Sequence, residues 1–275
     1  MTTSPAQPFP ENRPDHELRT AIVSGGAGGI GSVICRRMAD EGYAVVVADS
    51  NSEAAESLAN SLPTTGEATH HGFSGDLTES SVNRELAEFA GNLAPIGLIV
   101  NAVGISPKKN GEKIRFFDLD DDLWNTVLAV NLSAPFYLMR EAYRFMPTDG
   151  TASIINLLSI TARTGTGAPH DSHFGPFIPS TVAYGATKAA LHNLTVSIAH
   201  ELADSHIRVN GVAPGYVRTP MMGSVPADER LLSSVPMNRF AEPEEVADSI
   251  AFLAGSRASY ITGTSLDVNG GWATC

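Results

Sequence analysis

Short, almost continuously apolar runs recur along the chain, and amphipathic stretches lie between them. Thr20–Val23, Tyr43–Ala48 and Ile96–Asn101 are runs of this kind, as expected of parallel strands that are covered on both faces. The stretch from Ile30 to Met38 instead places its apolar residues three and four positions apart, which is the spacing of a helix face. The pattern therefore predicts strands that alternate with helices.

Along the whole chain, this pattern predicts a sheet of seven strands. The predicted strands are Thr20–Val23, Tyr43–Ala48, Ala68–Ser74, Ile96–Asn101, Ser153–Leu158, Ile207–Val212 and Ser265–Val268. Further helices are predicted at 52–61, 79–90, 119–146, 183–202 and 243–254. Pro135 lies inside the longest of them and should kink it or mark a boundary. Strands that alternate with helices form a parallel sheet wound by right-handed crossovers, so we expect an α/β fold with helices on both faces of the sheet.

No internal repeat or Pro/Gly linker divides the chain, so residues 18–275 are predicted to form a single domain. Residues 1–17 carry several prolines among polar neighbours, and they are predicted to form a flexible arm.

The composition narrows the range of functions. The formal net charge is −12, from 18 basic and 30 acidic residues, which argues against nucleic acids and anionic membranes as partners. No apolar run approaches the length of a membrane span, and the first residues lack the layout of a signal peptide. The two cysteines, Cys35 and Cys275, form neither a disulfide framework nor a metal cluster, and Cys35 is interpreted as a core residue. We expect a reduced, cytoplasmic setting.

A glycine-rich turn, Ser24–Gly31, lies between the first strand and the first helix. Glycines here permit a tight turn and let a pyrophosphate approach the backbone at the helix N-terminus. Asp49 ends the second strand, 20 residues after Gly29, where a carboxylate can accept hydrogen bonds from the adenosine ribose. The alternative is that Asp49 is a turn or cap residue.

The surroundings of Asp49 also bear on the choice of cofactor. A 2′-phosphate beside this carboxylate would be repelled, and no Arg or Lys stands at Ala27, Gly28, Ser50 or Asn51 to offset the repulsion. NAD is therefore predicted rather than NADP.

Tyr184 and Lys188 are four residues apart in a predicted helix, so they project from the same face. An ammonium near a phenol favours the phenolate and lowers the tyrosine pKa, which would let Tyr184 transfer protons near neutral pH. The alternative is an ordinary exposed helix face, because such a pair arises easily by chance.

With these motifs in order, the chain resembles the short-chain dehydrogenase/reductase family from Thr20 to Trp272. The resemblance implies a single-domain Rossmann fold, a nicotinamide cofactor and the cofactor-contacting positions that follow. They are Ser24, Gly25, Gly29, Ile30 and Gly31 in the turn, Asp76 and Leu77 at the adenine, Asn101, Ala102 and Gly104 in the segment that is usually N-N-A-G, and Pro214, Gly215, Val217 and Thr219 at the nicotinamide. Ala102 stands where the family usually has a second asparagine.

The resemblance also implies four catalytic residues, Asn131, Ser159, Tyr184 and Lys188. Tyr184 would be the general acid or base, and Ser159 would hydrogen-bond the substrate oxygen. Lys188 would lower the Tyr184 pKa and, like Tyr184, contact the cofactor. Asn131 would anchor a water that connects Lys188 to solvent. Considered singly, Ser159 could be a turn residue and Asn131 a packing residue beside a helix kink.

Ser159 and Tyr184 are 25 residues apart, which is longer than usual in this family. The intervening segment 163–181 is rich in Gly and Pro, and is therefore predicted to be an irregular loop over the substrate cleft. His170, Asp171 and His173 could be metal ligands, but two histidines and an aspartate on one loop are insufficient, and no metal is predicted. The segments 105–117 and 216–240 are predicted to form the other walls of the cleft.

The sequence thus predicts an NAD-dependent enzyme that interconverts a secondary alcohol and a ketone. The substrate is expected to be polar, such as a polyol, a sugar or a hydroxy acid. A 3-oxoacyl-type ketoreductase and a catalytically silent NAD-binding sensor or scaffold are the alternatives. Like its family, the protein is expected to form a homotetramer or homodimer through the helices 119–146 and 183–202, where Phe136, Tyr137, Val196 and Ala199 extend the apolar surface.

Overall fold

A twisted sheet of seven parallel strands runs through the protein, as the sequence predicts. The computed structural model describes residues 17–167, 180–220 and 229–273. Its strands are β1 (Thr20–Ser24), β2 (Ala44–Asp49), β3 (His71–Ser74), β4 (Ile96–Asn101), β5 (Lys108–Lys109), β6 (Glu112–Lys113), β7 (Ser153–Leu157), β8 (Arg208–Pro214) and β9 (Ser265–Val268). The spatial order in the sheet is β3-β2-β1-β4-β7-β8-β9, and β5 and β6 form a separate antiparallel hairpin.

The helices follow the strands in alternation. They are α1 (Gly29–Asp40), α2 (Ser52–Ser61), α3 (Ser80–Leu93), α4 (Asp121–Leu128), α5 (Ala134–Ala142), α6 (Thr161–Thr164), α7 (Val182–Glu201), α8 (Glu229–Ser233) and α9 (Pro243–Ala254). The fold class is therefore the single-domain Rossmann type with helices on both faces of the sheet. No helix within the described ranges is long and apolar enough to cross a membrane.

Successive residues of each strand point to opposite faces of the sheet, and this alternation separates two apolar cores. On β1, Ala21 and Val23 pack towards α1, α2 and α9, whereas Ile22 packs towards α3, α5 and α7. All three residues are fully buried. Cys35 is also fully buried in the first of these cores, which confirms its interpretation as a core residue.

The strand order reverses between β1 and β4, because β2 and β3 lie on one side of β1 and the later strands lie on the other. In an open parallel sheet, the loops at the carboxyl ends of the strands separate at such a point and leave a crevice. Ser24 and Asn101 end these two strands side by side. The fold therefore places the glycine-rich turn and the 101–104 segment on the two sides of one crevice.

The predicted helix 119–146 is divided in the structure. A 3₁₀ turn at Phe116–Asp118 precedes α4, and a π-helical segment at Ala129–Ser133 joins α4 to α5. Pro135 lies in the first turn of α5, where a missing N–H is tolerated, so the predicted boundary at this proline is confirmed. A second 3₁₀ turn, Tyr143–Phe145, ends the region.

Two local predictions of secondary structure were wrong. The third strand begins at His71 rather than Ala68, because the Nδ1 atom of His70 accepts the N–H of Val45 at 3.1 Å where a strand residue would otherwise pair. The segment 163–181 was expected to lack regular structure, but its first two residues belong to α6. Residues 1–16, which include nearly all of the predicted arm, and residues 168–179 lie outside the described ranges.

Candidate active site

The carboxyl ends of the central strands open into one cavity of about 600 Å³. Its wall contains most of the predicted cofactor-binding residues, namely Gly25, Gly29, Ile30, Gly31, Asp49, Asp76, Leu77, Ala102, Gly104, Pro214, Gly215, Val217 and Thr219. Ser159, Tyr184 and Lys188 lie in the same wall. The fold therefore brings the two groups of residues singled out in the sequence, which are far apart in the chain, into one cleft.

The glycine-rich turn is shaped by contacts that leave no room for side chains. Gly25 has a φ of 66°, and a Cβ there would lie 2.8 Å from the Cα of Val103. A Cβ on Gly31 would lie only 2.1 Å from the carbonyl oxygen of Gly25. Glycine at these two positions lets the first turn of α1 pack directly against the loop after β1.

The N-terminus of α1 is suited to a pyrophosphate. Gly28 is the N-cap, its position supplies no side chain to cap the helix, and the first turn carries no acidic residue. The first N–H groups of a helix carry partial positive charge and favour an anion. Gly28, Gly29 and Gly31 also line the cavity. A dinucleotide therefore fits the residues present, with its pyrophosphate held at this helix end.

Asp49 supports the turn with its carboxylate. One oxygen accepts the N–H of Ala27 at 3.1 Å, and the other accepts the N–H of Asn51 at the same distance. Asp49 therefore does stabilise a turn, as the alternative interpretation of this residue supposed. The carboxylate also lies in the wall of the cavity, and each oxygen retains acceptor capacity, so support of the turn and ribose recognition are compatible.

Asp76, like Asp49, makes local hydrogen bonds and also lies in the cavity wall. Its Oδ1 atom accepts a hydrogen bond from the hydroxyl of Thr78 at 2.7 Å and another from the Thr78 N–H at 2.9 Å. These hydrogen bonds hold the pKa of Asp76 below its ordinary value, and the one from the hydroxyl has the larger effect. The residue is thus a carboxylate at the cavity wall beside Leu77, near neutral pH.

Ser24 and Asn101 are fully buried and support the wall from behind. The amide of Asn101 donates to Asn156 at 2.8 Å, and the amide of Asn156 donates to Thr195 at 2.9 Å. This buried chain of hydrogen bonds connects β4, β7 and the helix α7. Ala102 lines the cavity through its small side chain, and its N–H donates to the carbonyl of Ser24 at 3.1 Å.

Tyr184 lies in the first turn of α7, where the Thr181 hydroxyl caps the helix by accepting the Tyr184 N–H at 3.2 Å. Burial raises the pKa of the Tyr184 phenol, and a hydrogen bond with Ser159 partly offsets the increase. The lowered pKa expected from Lys188 is therefore wrong for this arrangement, because burial has the larger effect. Ser159 is oriented in turn by the N–H of Thr161, which donates to its hydroxyl at 3.2 Å.

Lys188 is almost completely buried, with 2% of its surface exposed. Its Nζ atom donates to the carbonyl of Leu157 at 2.7 Å and lies 5.7 Å from the centroid of the Tyr184 ring. Burial lowers the pKa of Lys188 to about 8. The lysine is thus held beside the tyrosine by the end of β7, in an environment that makes its proton easier to lose.

Asn131 lies inside the π-helical segment and is fully buried. Its side chain accepts the N–H of Ile105 at 2.8 Å and donates to the Ile105 carbonyl at 2.9 Å. It also donates to Thr187 at 3.2 Å, which is the residue before Lys188. Asn131 therefore joins the loop after β4 to α7. π-Helical segments of one turn are frequent at functional sites.

The segments 105–117 and 216–240, which were predicted as walls of the cleft, contribute Ile105, Ser106, Lys108 and Tyr216 to its lining. Tyr216 stacks on Trp272 at 4.6 Å between ring centroids, with 18° between the ring planes. Trp272 was missed in the sequence, because nothing local indicates that it reaches Tyr216. Other wall residues that were missed are Val103, Val130, Ile160, Thr161 and Ser180. His170, Asp171 and His173, the alternative metal ligands, lie outside the described residues.

Comparison with known proteins agrees with this geometry. A family model described as Enoyl-(Acyl carrier protein) reductase matches residues 25–273. An acetoacetyl-CoA reductase from Allochromatium vinosum is 35% identical over 92% of this chain and 98% of its own length. A cis-4-hydroxycyclohexanecarboxylate dehydrogenase from Sinomonas cyclohexanicum is 34% identical over 92% of this chain and 96% of its own.

A solved structure of a 3-oxoacyl-[acyl-carrier protein] reductase from Brucella melitensis, with bound NAD, has the same fold. Its TM-score is 0.82 at 28% sequence identity, and the match covers 99% of both chains. These relatives are oxidoreductases of hydroxyl and keto groups. The protein therefore belongs to the short-chain dehydrogenase/reductase family, whose members bind a nicotinamide cofactor.

Proposed function

We propose that this protein interconverts a secondary alcohol and a ketone with NAD, using Tyr184 as the general acid or base. The observation that carries the proposal is the convergence of Ser159, Tyr184 and Lys188 on a cavity whose other end is the glycine-rich turn. Two of these groups have pKa values displaced by their surroundings, as is common for residues that transfer protons.

The proposed chemistry at Tyr184 follows from its environment. During ketone reduction the phenol gives its proton to the substrate oxygen, and during alcohol oxidation the phenolate accepts that proton. A raised pKa keeps the phenol protonated near neutral pH, which suits the reduction. Ser159 donates a hydrogen bond to the substrate oxygen as charge develops there. The nicotinamide supplies or accepts the hydride when it is bound.

Asn131 and Lys188 are proposed to connect Tyr184 to solvent. Pro135 has no N–H, so it cannot give the carbonyl of Asn131 the hydrogen bond that an uninterrupted α-helix would provide. A Cβ added to Gly104 would lie 3.5 Å from Lys188 Nζ and 3.6 Å from Asn131 Oδ1, so both side chains meet at this glycine. The proposed relay is a water that bridges the Asn131 carbonyl, which lacks this α-helical hydrogen bond, and the lysine.

The preference for NAD is proposed from Asp49. Its negative charge faces the cavity, and Ser50 and Asn51, which follow it, cannot neutralise a 2′-phosphate. The Brucella melitensis relative with bound NAD supports this preference. NADP is the alternative, and it would require a cationic partner at this end of the cleft.

We propose a polar substrate, because Lys108 and the hydroxyl-bearing Ser180 lie in the same cavity wall as Tyr184. Ser106 and Thr161 also line this wall, but their hydroxyl oxygens are buried. The ammonium of Lys108 favours a hydroxy acid over a neutral polyol or sugar. The second candidate is a ketoreductase of acyl thioesters, which is supported by the acetoacetyl-CoA and 3-oxoacyl reductases among the relatives.

The test is a comparison of cofactors and substrate classes with the purified protein. Reduced nicotinamide is followed by absorbance with NAD or NADP, and with hydroxy acids, polyols, sugars and 3-hydroxyacyl thioesters. Turnover of a hydroxy acid with NAD supports the proposal, and turnover of thioesters with NADPH supports the second candidate. Binding of NAD without turnover of any alcohol or ketone would indicate a sensor or scaffold instead.

The protein is also proposed to act in the cytoplasm as a homotetramer or homodimer. Trp124 on α4, Phe136 on α5 and Val182 on α7 each leave more than a third of their surface exposed. Ala199 is 1% exposed because it packs inside its own subunit, so the expectation that it extends the apolar surface was wrong. Light scattering during size-exclusion chromatography would measure the subunit number, and a monomer would contradict this proposal.

A further inference from the structure

The hairpin β5–β6 stands at the substrate end of the cleft. Asn110 and Gly111 form its two-residue turn, with φ angles of 53° and 82°, as a tight hairpin with right-handed twist requires. Lys108 and Lys113 are directly opposite each other in the hairpin. Directly opposed like charges destabilise a strand pair, so each lysine needs its own favourable contacts.

Lys113 makes these contacts with the segment that follows α6. Its Nζ atom donates to the Thr166 carbonyl and to the Thr166 hydroxyl, both at 3.1 Å, and to the Gly167 carbonyl at 2.7 Å. An ammonium has three protons, and three oxygen acceptors surround this one. Hydrogen bonds from a charged donor are stronger than those between neutral groups. Lys113 thus fastens the hairpin to residues 166–167.

Thr166 in turn packs against α7, the helix that carries Tyr184. It is 6% exposed, and its methyl group lies 2.8 Å from the position that a Cβ on Gly185 would occupy. Gly185 is the residue after Tyr184 and is itself buried. The first turn of α7 therefore rests against the residue that Lys113 holds.

We propose that Lys113 is a positioning residue that clamps residues 165–167 against the first turn of α7 and thereby fixes the substrate end of the cleft. The inference rests on the proposed function, since Tyr184 is the group that the clamp positions. Lys113 acts through Thr166 and Gly185, and Lys108, opposite it in the hairpin, is held in the cleft wall by the same attachment. The cofactor end is built from other segments and lies outside the clamp.

The kinetic test compares Lys113→Met with Lys109→Met. Both variants remove one positive charge from the hairpin, but Lys109 is exposed and pairs with Glu112 on the other strand. We expect Lys113→Met to lower kcat/KM for the alcohol about tenfold while the NAD dissociation constant changes less than about twofold, because only the substrate end loses charged hydrogen bonds. Lys109→Met should behave like the wild type.

A double-mutant cycle shows whether the contact itself is responsible. Thr166→Ala removes both the hydroxyl acceptor and the methyl group that meets Gly185. If Lys113 acts through Thr166, the variant with both changes should lose clearly less than the product of the two single losses. Independent, multiplicative losses would overturn the clamp.

Trypsin cleavage after Arg163 tests the clamp without a measurement of enzyme activity. Arg163 lies in α6, three residues before Thr166, and the next trypsin site is Lys188. We expect Lys113→Met to be cut after Arg163 roughly ten times faster than the wild type and Lys109→Met, because opening of the 165–167 segment exposes the bond. Mass spectrometry of the fragments 1–163 and 164–275 identifies the cut.

The two readouts separate the failure of this inference from failure of the proposed function. If the wild type binds NAD but turns over no alcohol or ketone, the proposed function fails, and faster cleavage of Lys113→Met still supports the clamp. If the wild type is active and the two lysine variants match in both kinetics and cleavage, the clamp is contradicted. Faster cleavage with unchanged kinetics would overturn the positioning role.

Discussion

The two ends of the cleft are built in different ways. At the cofactor end, short stretches of chain and the backbone itself make the surface: Gly25 and Gly31 exclude side chains, and Asp49 holds the turn through main-chain N–H groups. At the substrate end, side chains from distant segments meet, as when Lys113 reaches Thr166 across 53 residues. The first end is therefore specified locally, and the second depends on tertiary packing.

Tyr184 stands where the two ends join. Its phenol is hydrogen-bonded to Ser159, its helix is capped by Thr181, and the next residue rests against Thr166. Changes at the cofactor end should therefore alter binding of the dinucleotide, whereas changes at Tyr184 should alter the chemistry and leave that binding intact.

The largest expected effect is that of Tyr184→Phe. Removal of a general acid or base lowers rates by about 10²- to 10⁴-fold, and the phenyl ring preserves the packing. We expect kcat to fall by that amount while the NAD dissociation constant, measured by fluorescence titration, stays within about twofold of the wild type. Ser197→Ala, on the exposed side of the same helix, is the control. Retention of most activity would remove Tyr184 from the reaction.

Gly31→Ala should break the cofactor end instead. The new methyl group would meet the Gly25 carbonyl at 2.1 Å, so the turn or the helix must move. Such overpacking costs about 1–3 kcal/mol, which corresponds to a roughly 5- to 150-fold weaker binding of NAD if the strain falls on the bound state. Ser32→Ala, one residue later, should bind NAD normally. Unchanged NAD affinity in Gly31→Ala would mean that the dinucleotide lies elsewhere.

Asp49→Asn should change the choice of cofactor more than the strength of binding. The amide oxygen can still accept from one main-chain N–H, but the charge that repels a 2′-phosphate is lost. We expect the ratio of kcat/KM for NAD to that for NADP to fall about tenfold, by analogy with other single charge changes at close range. Asp40→Asn, at the exposed end of α1, removes the same charge without this effect. A constant ratio would contradict the role given to Asp49.

The prediction that concerns stability rather than binding or catalysis is a dependence of the free energy of unfolding on pH through Lys188. Because its pKa falls from 10.5 to about 8 on folding, the unfolded chain binds more protons between these pH values than the folded one does. The contribution of this group to the free energy of unfolding therefore rises with pH across that window, by at most about 1.4 kcal/mol per pH unit.

Urea unfolding of the wild type and Lys188→Met, at about pH 7.5 and about pH 9.5, measures this contribution as a difference. The wild type should gain stability relative to the variant at the higher pH, whereas Lys109→Met should follow the wild type. A difference that does not change with pH would contradict the lowered pKa of Lys188.

The sequence predicted the cofactor end of the cleft better than the substrate end. The alternation of apolar runs and helices predicted all seven strands of the sheet, and the glycine turn, Asp49 and Asp76 were located because each lies in a short recognisable segment. Local signals suffice where one stretch of backbone makes the site.

The substrate end was harder to predict for physical reasons. The Asn-Gly pair at 110–111 is a strong hairpin signal, but its flanks are charged rather than apolar, and the segment 105–117 was predicted to be a wall of the cleft without a hairpin. The contact of Lys113 with Thr166 joins segments that only folding brings together. The pKa of Tyr184 was predicted in the wrong direction because the degree of burial cannot be read from the spacing of Tyr184 and Lys188.

The most direct test is a crystal structure of the protein with NAD and a substrate that it turns over, in which the position of the substrate oxygen is measured. We expect this oxygen within about 3.2 Å of both the Tyr184 hydroxyl and the Ser159 hydroxyl, the reach that proton transfer and charge stabilisation require. A substrate oxygen beyond hydrogen-bonding distance of both groups, in an otherwise reactive complex, would contradict the assignment of the chemistry to this site.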